Sequence, residues 1–241
     1  MALETIDIIN GILILFIITI SVLVGLKIIS LYFKNNDKVY IFAGLFWIFL
    51  VCPWYAHSTA FIVALTTGKG LTPEVYFILG NFFIPIGMIV WLTVFTELCY
   101  KDKQKIILGV FIIYSVIFYI LFFTAIFIDP SLIGELQGDI EVKYSRIIII
   151  YDITILITLL ITGIIFGRES MKSENPEIKL RGKLLVIAFF SYVIGIGTDA
   201  ILDHTFITLM IVRVLEISSV VEFYAAFIMP DWIKKIFLKQ K

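Results

Sequence analysis

Seven stretches of this chain are long and apolar enough to cross a lipid bilayer, and this pattern limits the fold more than any other feature. A hydrocarbon core about 30 Å thick needs roughly 20 mostly apolar residues per spanning helix. The stretches run Ile6–Phe33, Val39–Thr66, Pro73–Tyr100, Ile106–Ile128, Ser145–Gly167, Leu184–Asp203 and Phe206–Met229. Inside a bilayer no water is present to bond the backbone, so each run must satisfy its own N–H and C=O groups as a helix. The connectors are Lys34–Lys38, Thr67–Thr72, Lys101–Lys105, Asp129–Tyr144, Arg168–Lys183 and His204–Thr205, all too short to fold as domains. The sequence therefore predicts an all-α membrane protein. A seven-transmembrane helix bundle occupies residues 1–229, and a basic amphipathic tail occupies 230–241.

Charge gives this bundle a direction. Nineteen basic and nineteen acidic residues cancel, and only 16% of the chain is charged, against about 25% in a soluble domain. Without a basic surplus, nucleic acid is excluded as a partner. If the N-terminus lies outside, fifteen lysines and arginines fall on the inner side and three (Lys69, Lys143 and Arg146) on the outer side. The positive-inside bias thus predicts a multi-pass protein of the cell membrane, N-out and C-in. The first run opens on Glu4 and Asp7 instead of a basic segment, so it reads as a retained helix and not a cleaved leader. After Pro230, the residues Trp232, Ile233, Ile236 and Phe237 share one helical face while Lys234 and Lys235 take the other. That arrangement predicts a short interfacial helix resting on anionic membrane lipids. Cys52 and Cys99 lie at different depths, too far apart for a disulfide, and are expected as free thiols.

Ionisable side chains inside a bilayer cost on the order of 3 kcal/mol on insertion scales, so they face the bundle and find partners. Here they gather toward the outer side: His57, Asn81, Asp152, Asp199, Arg213 and Glu216, with Trp54 and Tyr55 beside His57. Ser191, Gly195, Asp199 and Asp203 recur every four residues and form one helical stripe. Arg213 and Glu216, three apart, can touch within one helix. Pro53 and Pro85 are positioned to kink adjacent spans and splay a cavity. Two readings stay open: a polar pocket for a cationic or hydrogen-bonding ligand, or an ion-pair network that fixes packing. On the inner side, Glu97 pairs most simply with Lys101, and Glu222 faces away from the Arg213 stripe.

These residues discriminate among several chemistries. A retinal Schiff base needs a lysine deep in the last span, which has none. A metal-dependent intramembrane hydrolase would have to build its site from His57, Asp199, Asp203 and His204, although comparable seven-helix hydrolases use more histidines. A haem clasped by the two histidines meets their unequal depths. A small-solute or ion transporter of parallel three-helix repeats would repeat Pro53 and Pro85 in the last three spans, and no proline stands there. No Gly-rich phosphate loop, Ser-His-Asp set or CxxC motif is present, so no cofactor is expected. G-protein-coupled receptors share the topology, but their motifs closing spans three and seven are missing; span three ends in Thr96-Glu97-Leu98-Cys99-Tyr100.

The inner loop reads Gly167-Arg168-Glu169-Ser170, then Asn175-Pro176-Glu177, then Arg181-Gly182-Lys183. Together with Glu222-Phe223-Tyr224 and Met229-Pro230-Asp231-Trp232, it resembles uncharacterised archaeal seven-helix membrane proteins of sensor-like type. That resemblance implies the topology just derived and names no ligand. The expectation is a receptor-like sensor that binds a small molecule or lipid among the outer polar residues and signals to a cytoplasmic protein partner. Homo-oligomerisation is left open.

Overall fold

A computed structural model describes residues 3–201 and 205–238. The chain begins with a long helix, α1 (Thr5–Ser30), and a short one, α2 (Tyr32–Asn35). Two broken rods follow, α3 (Val39–Leu50) with α4 (Cys52–Thr67), and α5 (Pro73–Asn81) with α6 (Phe83–Cys99). Next come α7 (Gln104–Ile128), α8 (Arg146–Met171), α9 (Pro176–Ile201), α10 (Phe206–Ile228) and the terminal α11 (Asp231–Leu238). Five segments are long and apolar enough to cross a membrane, and the bent α3–α4 pair makes a sixth if it is one span. These make the chain a helical, multi-pass membrane protein. The 23-residue α10 is not among the five because Arg213, Glu216 and Glu222 interrupt its apolar sequence.

Each helix start has a local cause. The backbone N–H of Glu4 donates to the Asp7 carboxylate at 2.9 Å, covering a donor that the first turn of α1 leaves free. Pro73 and Pro176 open α5 and α9, where a missing N–H costs nothing. Thr205 and Thr208 bond each other's backbone N–H groups and start α10.

The helices pack in chain order around a closed ring. α1 packs on α3 and α4, α3 on α6, α6 on α8, α8 on α9, and α9 on α10, which returns to α1. The fourth long helix, α7, leans on α6 from outside and leaves Ile113, Ile117 and Ile120 among its exposed residues. Two tight crossings hold the ring at the end that carries α11. Gly25 and Gly44 meet backbone to backbone between α1 and α3, and Gly167 and Gly182 do the same between α8 and α9. Small residues let helix backbones approach where no hydrophobic effect drives association. The interior between these crossings is aromatic: Phe46 contacts Trp91 (4.8 Å between ring centroids), Trp91 contacts Phe189 (4.9 Å), and Phe189 contacts Phe223 (5.0 Å).

Both prolines break their helices, and tyrosines repair the breaks. Pro53 bends α3 against α4 by 48°. Proline lacks an N–H and frees carbonyls one turn back. The Tyr192 hydroxyl donates to the Leu50 carbonyl at 2.9 Å and the Tyr55 hydroxyl to that of Ile48 at 2.7 Å. At Pro85 the Tyr119 hydroxyl donates to the Phe82 carbonyl at 2.6 Å.

One connector differs from the plain loop expected. Within Asp129–Tyr144 the chain forms an antiparallel hairpin of β1 (Gly134–Gln137) and β2 (Glu141–Tyr144), pairing Gly134 with Tyr144 and Gln137 with Glu141. Gly138, at φ +69°, supplies the left-handed residue of its three-residue loop. The hairpin lies over the α4–α5 junction. Gly70 N–H donates to Asp139 Oδ1 at 3.0 Å, and the Tyr76 hydroxyl donates to the Ile140 carbonyl at 3.1 Å.

Candidate functional site

Arg213 is the centre of the polar interior. It lies two turns into α10, is 2% exposed, and spreads its guanidinium over three helices. Nη1 donates to Glu216 Oε2 at 2.6 Å, one turn along α10. Nη1 and Nη2 also grip the two oxygens of Asp199 on α9, at 3.3 and 3.2 Å. Nε donates to Asn10 Oδ1 on α1 at 3.0 Å. The amide nitrogen of Asn10 then faces His57 Nε2 on α4 at 3.5 Å. A fork-shaped guanidinium suits this work because its donors leave in fixed directions and can serve several acceptors.

The helical stripes explain how this cluster assembles. Gly195 and Asp199 stand on one face of α9, against α10. A Cβ at Gly195 would lie 3.2 Å from Glu216 Cγ, so the glycine makes room for the glutamate below the Asp199–Arg213 pair. Glu216 is 1% exposed and Asp199 is 23% exposed, so the network is open to the outside of the bundle at Asp199. A narrow cleft continues from Glu216 between Trp54, Trp47 and Tyr192, too tight to hold water.

Four of the residues singled out from sequence, His57, Asp199, Arg213 and Glu216, come together in this cluster. Trp54 lines the cleft beside it, its ring 6.3 Å from that of Tyr192. Tyr55 points instead at the helix break. Asn81 stands apart from the cluster, in a second polar patch beneath the hairpin. Asn81 donates to the Phe77 carbonyl at 2.9 Å and toward the Tyr144 hydroxyl at 3.4 Å. Burial pushes the Tyr144 phenol upward, and the Asp152 carboxylate, which makes no hydrogen bond or ion pair with Arg213, adds to that rise.

Asn10 is the residue of this cluster that sequence reasoning missed. Its signal was an amide beside Gly11 in an otherwise apolar run. Of the four residues considered for a metal, Asp203 and His204 lie outside the described residues. Among the described residues no three His, Cys, Asp or Glu side chains converge as a metal site. Cys52 and Cys99 are free. Neither a protein-family model nor a curated protein matches the chain.

A second cluster lies at the far ends of the same two helices. Arg181 near the start of α9 donates from Nη1 to the carbonyls of Ala226 (3.0 Å) and Phe227 (2.6 Å), closing the C-terminus of α10. Glu177 pairs with Arg181 at 2.8 Å and with Lys234 of α11 at 2.9 Å. Ile233 seats α11 against Leu180, Ala225 and Met229, and leaves Trp232, Ile236 and Phe237 exposed.

Proposed function

We propose that the chain is a receptor-like sensor of seven spans, with its N-terminus outside and its C-terminus in the cytoplasm. In this reading the α3–α4 and α5–α6 pairs are each one broken span and α10 is the seventh. At about 1.5 Å per residue its 23 residues are long enough to cross. Of its three ionisable groups, Arg213 and Glu216 turn inward and pair, and Glu222 accepts the Ser218 hydroxyl. The lysine bias sets the orientation, and it places α11 at the inner interface with Trp232, Ile236 and Phe237 toward lipid.

A single observation carries the functional reading. The partly open Asp199 carboxylate holds Arg213 at one end of the α9–α10 pair, while Arg181 and Glu177 bind the other end of the same pair to α11. The Asp199 carboxylate is open on one side beside Arg213, which favours a cationic ligand there. A ligand cation that competes with Arg213 for Asp199 changes the pairing of α9 and α10, and α11 presents that change to a cytoplasmic partner. A ligand shifts such an equilibrium only by its differential affinity for the two arrangements.

The experiment is a thermal-shift screen of small amines and inorganic cations on protein purified in detergent. A compound that raises the melting temperature of the wild type and leaves Asp199→Asn unmoved supports the sensor. Asp199-dependent uptake of that compound into proteoliposomes would replace the sensor with a transporter. In the present arrangement the aromatic side chains of Phe46, Trp91, Phe189 and Phe223 fill the path that a solute would take.

A further inference from the structure

At the α11 end of the bundle a groove of about 350 Å³ opens between the first turn of α3 and the last turns of α6. It is distinct from the Arg213 cluster and independent of the sensor reading. Its walls are apolar, formed by Val39 and Phe42 on one side and Val94 and Leu98 on the other. Asp37, Lys38 and Glu97 stand at its rim, with Thr93 between. Most of these polar groups are already committed. Asp37 Oδ1 accepts the Val39 N–H at 2.9 Å, where it caps α3. Glu97 pairs with Lys101 at 2.6 Å, and the Thr93 hydroxyl donates to the Ile89 carbonyl at 2.9 Å. Lys38 is the exception: among the described residues its ammonium has neither an ion pair nor a hydrogen bond.

An uncommitted cation above an apolar slot, where two membrane-crossing rods end, matches one kind of molecule: an anion that carries a hydrocarbon tail. The geometry points to a phospholipid site, with the lipid phosphate on Lys38 and the first part of an acyl chain along Phe42, Val94 and Leu98. The volume is at the small end of ligand pockets, which run from about 300 to 1,000 Å³. It therefore suits a headgroup and its first methylenes better than a whole lipid. Leu98 is half exposed beside the slot, and Phe33 nearby in sequence is fully open, so the approach from the membrane is apolar.

Native mass spectrometry tests this on delipidated full-length protein in detergent, titrated with phosphatidylglycerol and, separately, with glycerol 1-phosphate. The wild type is expected to hold one phosphatidylglycerol. Lys38→Gln and Leu98→Trp, the second of which fills the slot from its rim, each weaken that adduct about tenfold, the worth of one charge-assisted contact. Lys34→Gln, a neighbouring lysine outside the lining, leaves it unchanged. An equal loss in Lys34→Gln, no adduct on the wild type, or glycerol 1-phosphate binding as well as the lipid would each overturn the site. If Lys38→Gln fails to fold, the Leu98→Trp result decides alone.

Discussion

The Nε–H of Arg213 donates to the side-chain oxygen of Asn10 at 3.0 Å and joins two helices whose residues stand 203 apart in the chain. Both groups are buried, so the bond is made in a setting where its loss is expensive. Asn10→Leu keeps the volume and leaves the Arg213 Nε–H without an acceptor. The expected cost is about 1–3 kcal/mol, the penalty for an unsatisfied buried donor. Equilibrium unfolding in mixed micelles measures it, with Ile12→Ala as a control. Ile12 is 56% exposed on the opposite face of α1 and should leave stability nearly unchanged.

Arg213 itself carries a larger stake. Arg213→Met strands the Glu216 carboxylate, 1% exposed, beside the Asp199 carboxylate. Breaking a buried ion pair by removing one partner costs about 3–5 kcal/mol. Replacing both partners removes the stranded charge. Arg213→Met/Glu216→Leu should therefore be more stable than Arg213→Met alone, because the remaining Asp199 carboxylate is partly exposed while Glu216 is buried. If the double variant is no better than the single one, the cost lies in lost packing and not in the stranded carboxylate.

This cluster also shows how far sequence reading went and where it stopped. The four-residue step from Gly195 to Asp199 and the three-residue step from Arg213 to Glu216 follow from helix period alone, and the structure brings the two steps together where α9 meets α10. Asn10 was not legible, because nothing local to α1 says that its amide faces an arginine from the other end of the chain. Asp152 and Asn81 share an expected depth with Arg213, but depth does not specify azimuth around a bundle: Asn81 turns toward the Tyr144 hydroxyl beneath the hairpin, and Asp152 makes no hydrogen bond or ion pair with Arg213. The hairpin itself hides in a connector whose strands have only four residues each. Too little alternation is present there to rise above a polar loop, and only Gly138 marks the turn. The span count is least ambiguous where runs are uniformly apolar and most ambiguous at α10, where charged residues that pair inside the bundle lower the apolar signal.

The tyrosine bonds at the proline breaks yield a coupled prediction. Tyr192→Phe removes the donor to the Leu50 carbonyl and should cost about 1 kcal/mol, the net worth of a typical hydrogen bond. Pro53→Ala restores an N–H at the break and lets α3 and α4 run on as one regular helix, so the Leu50 carbonyl gains a backbone partner. On that background Tyr192→Phe should cost much less. A double-mutant cycle read by unfolding free energy gives the coupling directly, and strict additivity of the two changes would show that the tyrosine does not serve the proline break.

The glycine crossings separate packing from propensity. At Gly44 an added Cβ would run into the Gly25 carbonyl and the Ile29 side chain, and at Gly182 into the Gly167 carbonyl. A backbone oxygen cannot rotate away, so the helices must part. Gly44→Ala and Gly182→Ala should each destabilise by about 1–3 kcal/mol, as overpacking does. At Gly109 on α7 an added Cβ meets nothing within 4 Å. There the lower backbone entropy of alanine in the unfolded chain dominates, and Gly109→Ala should be neutral or stabilise by up to about 1 kcal/mol. The three variants, unfolded side by side in the same micelles, should therefore give opposite signs. A loss of stability in Gly109→Ala equal to that in Gly44→Ala would mean that the α7 surface at Gly109 is packed against a neighbour.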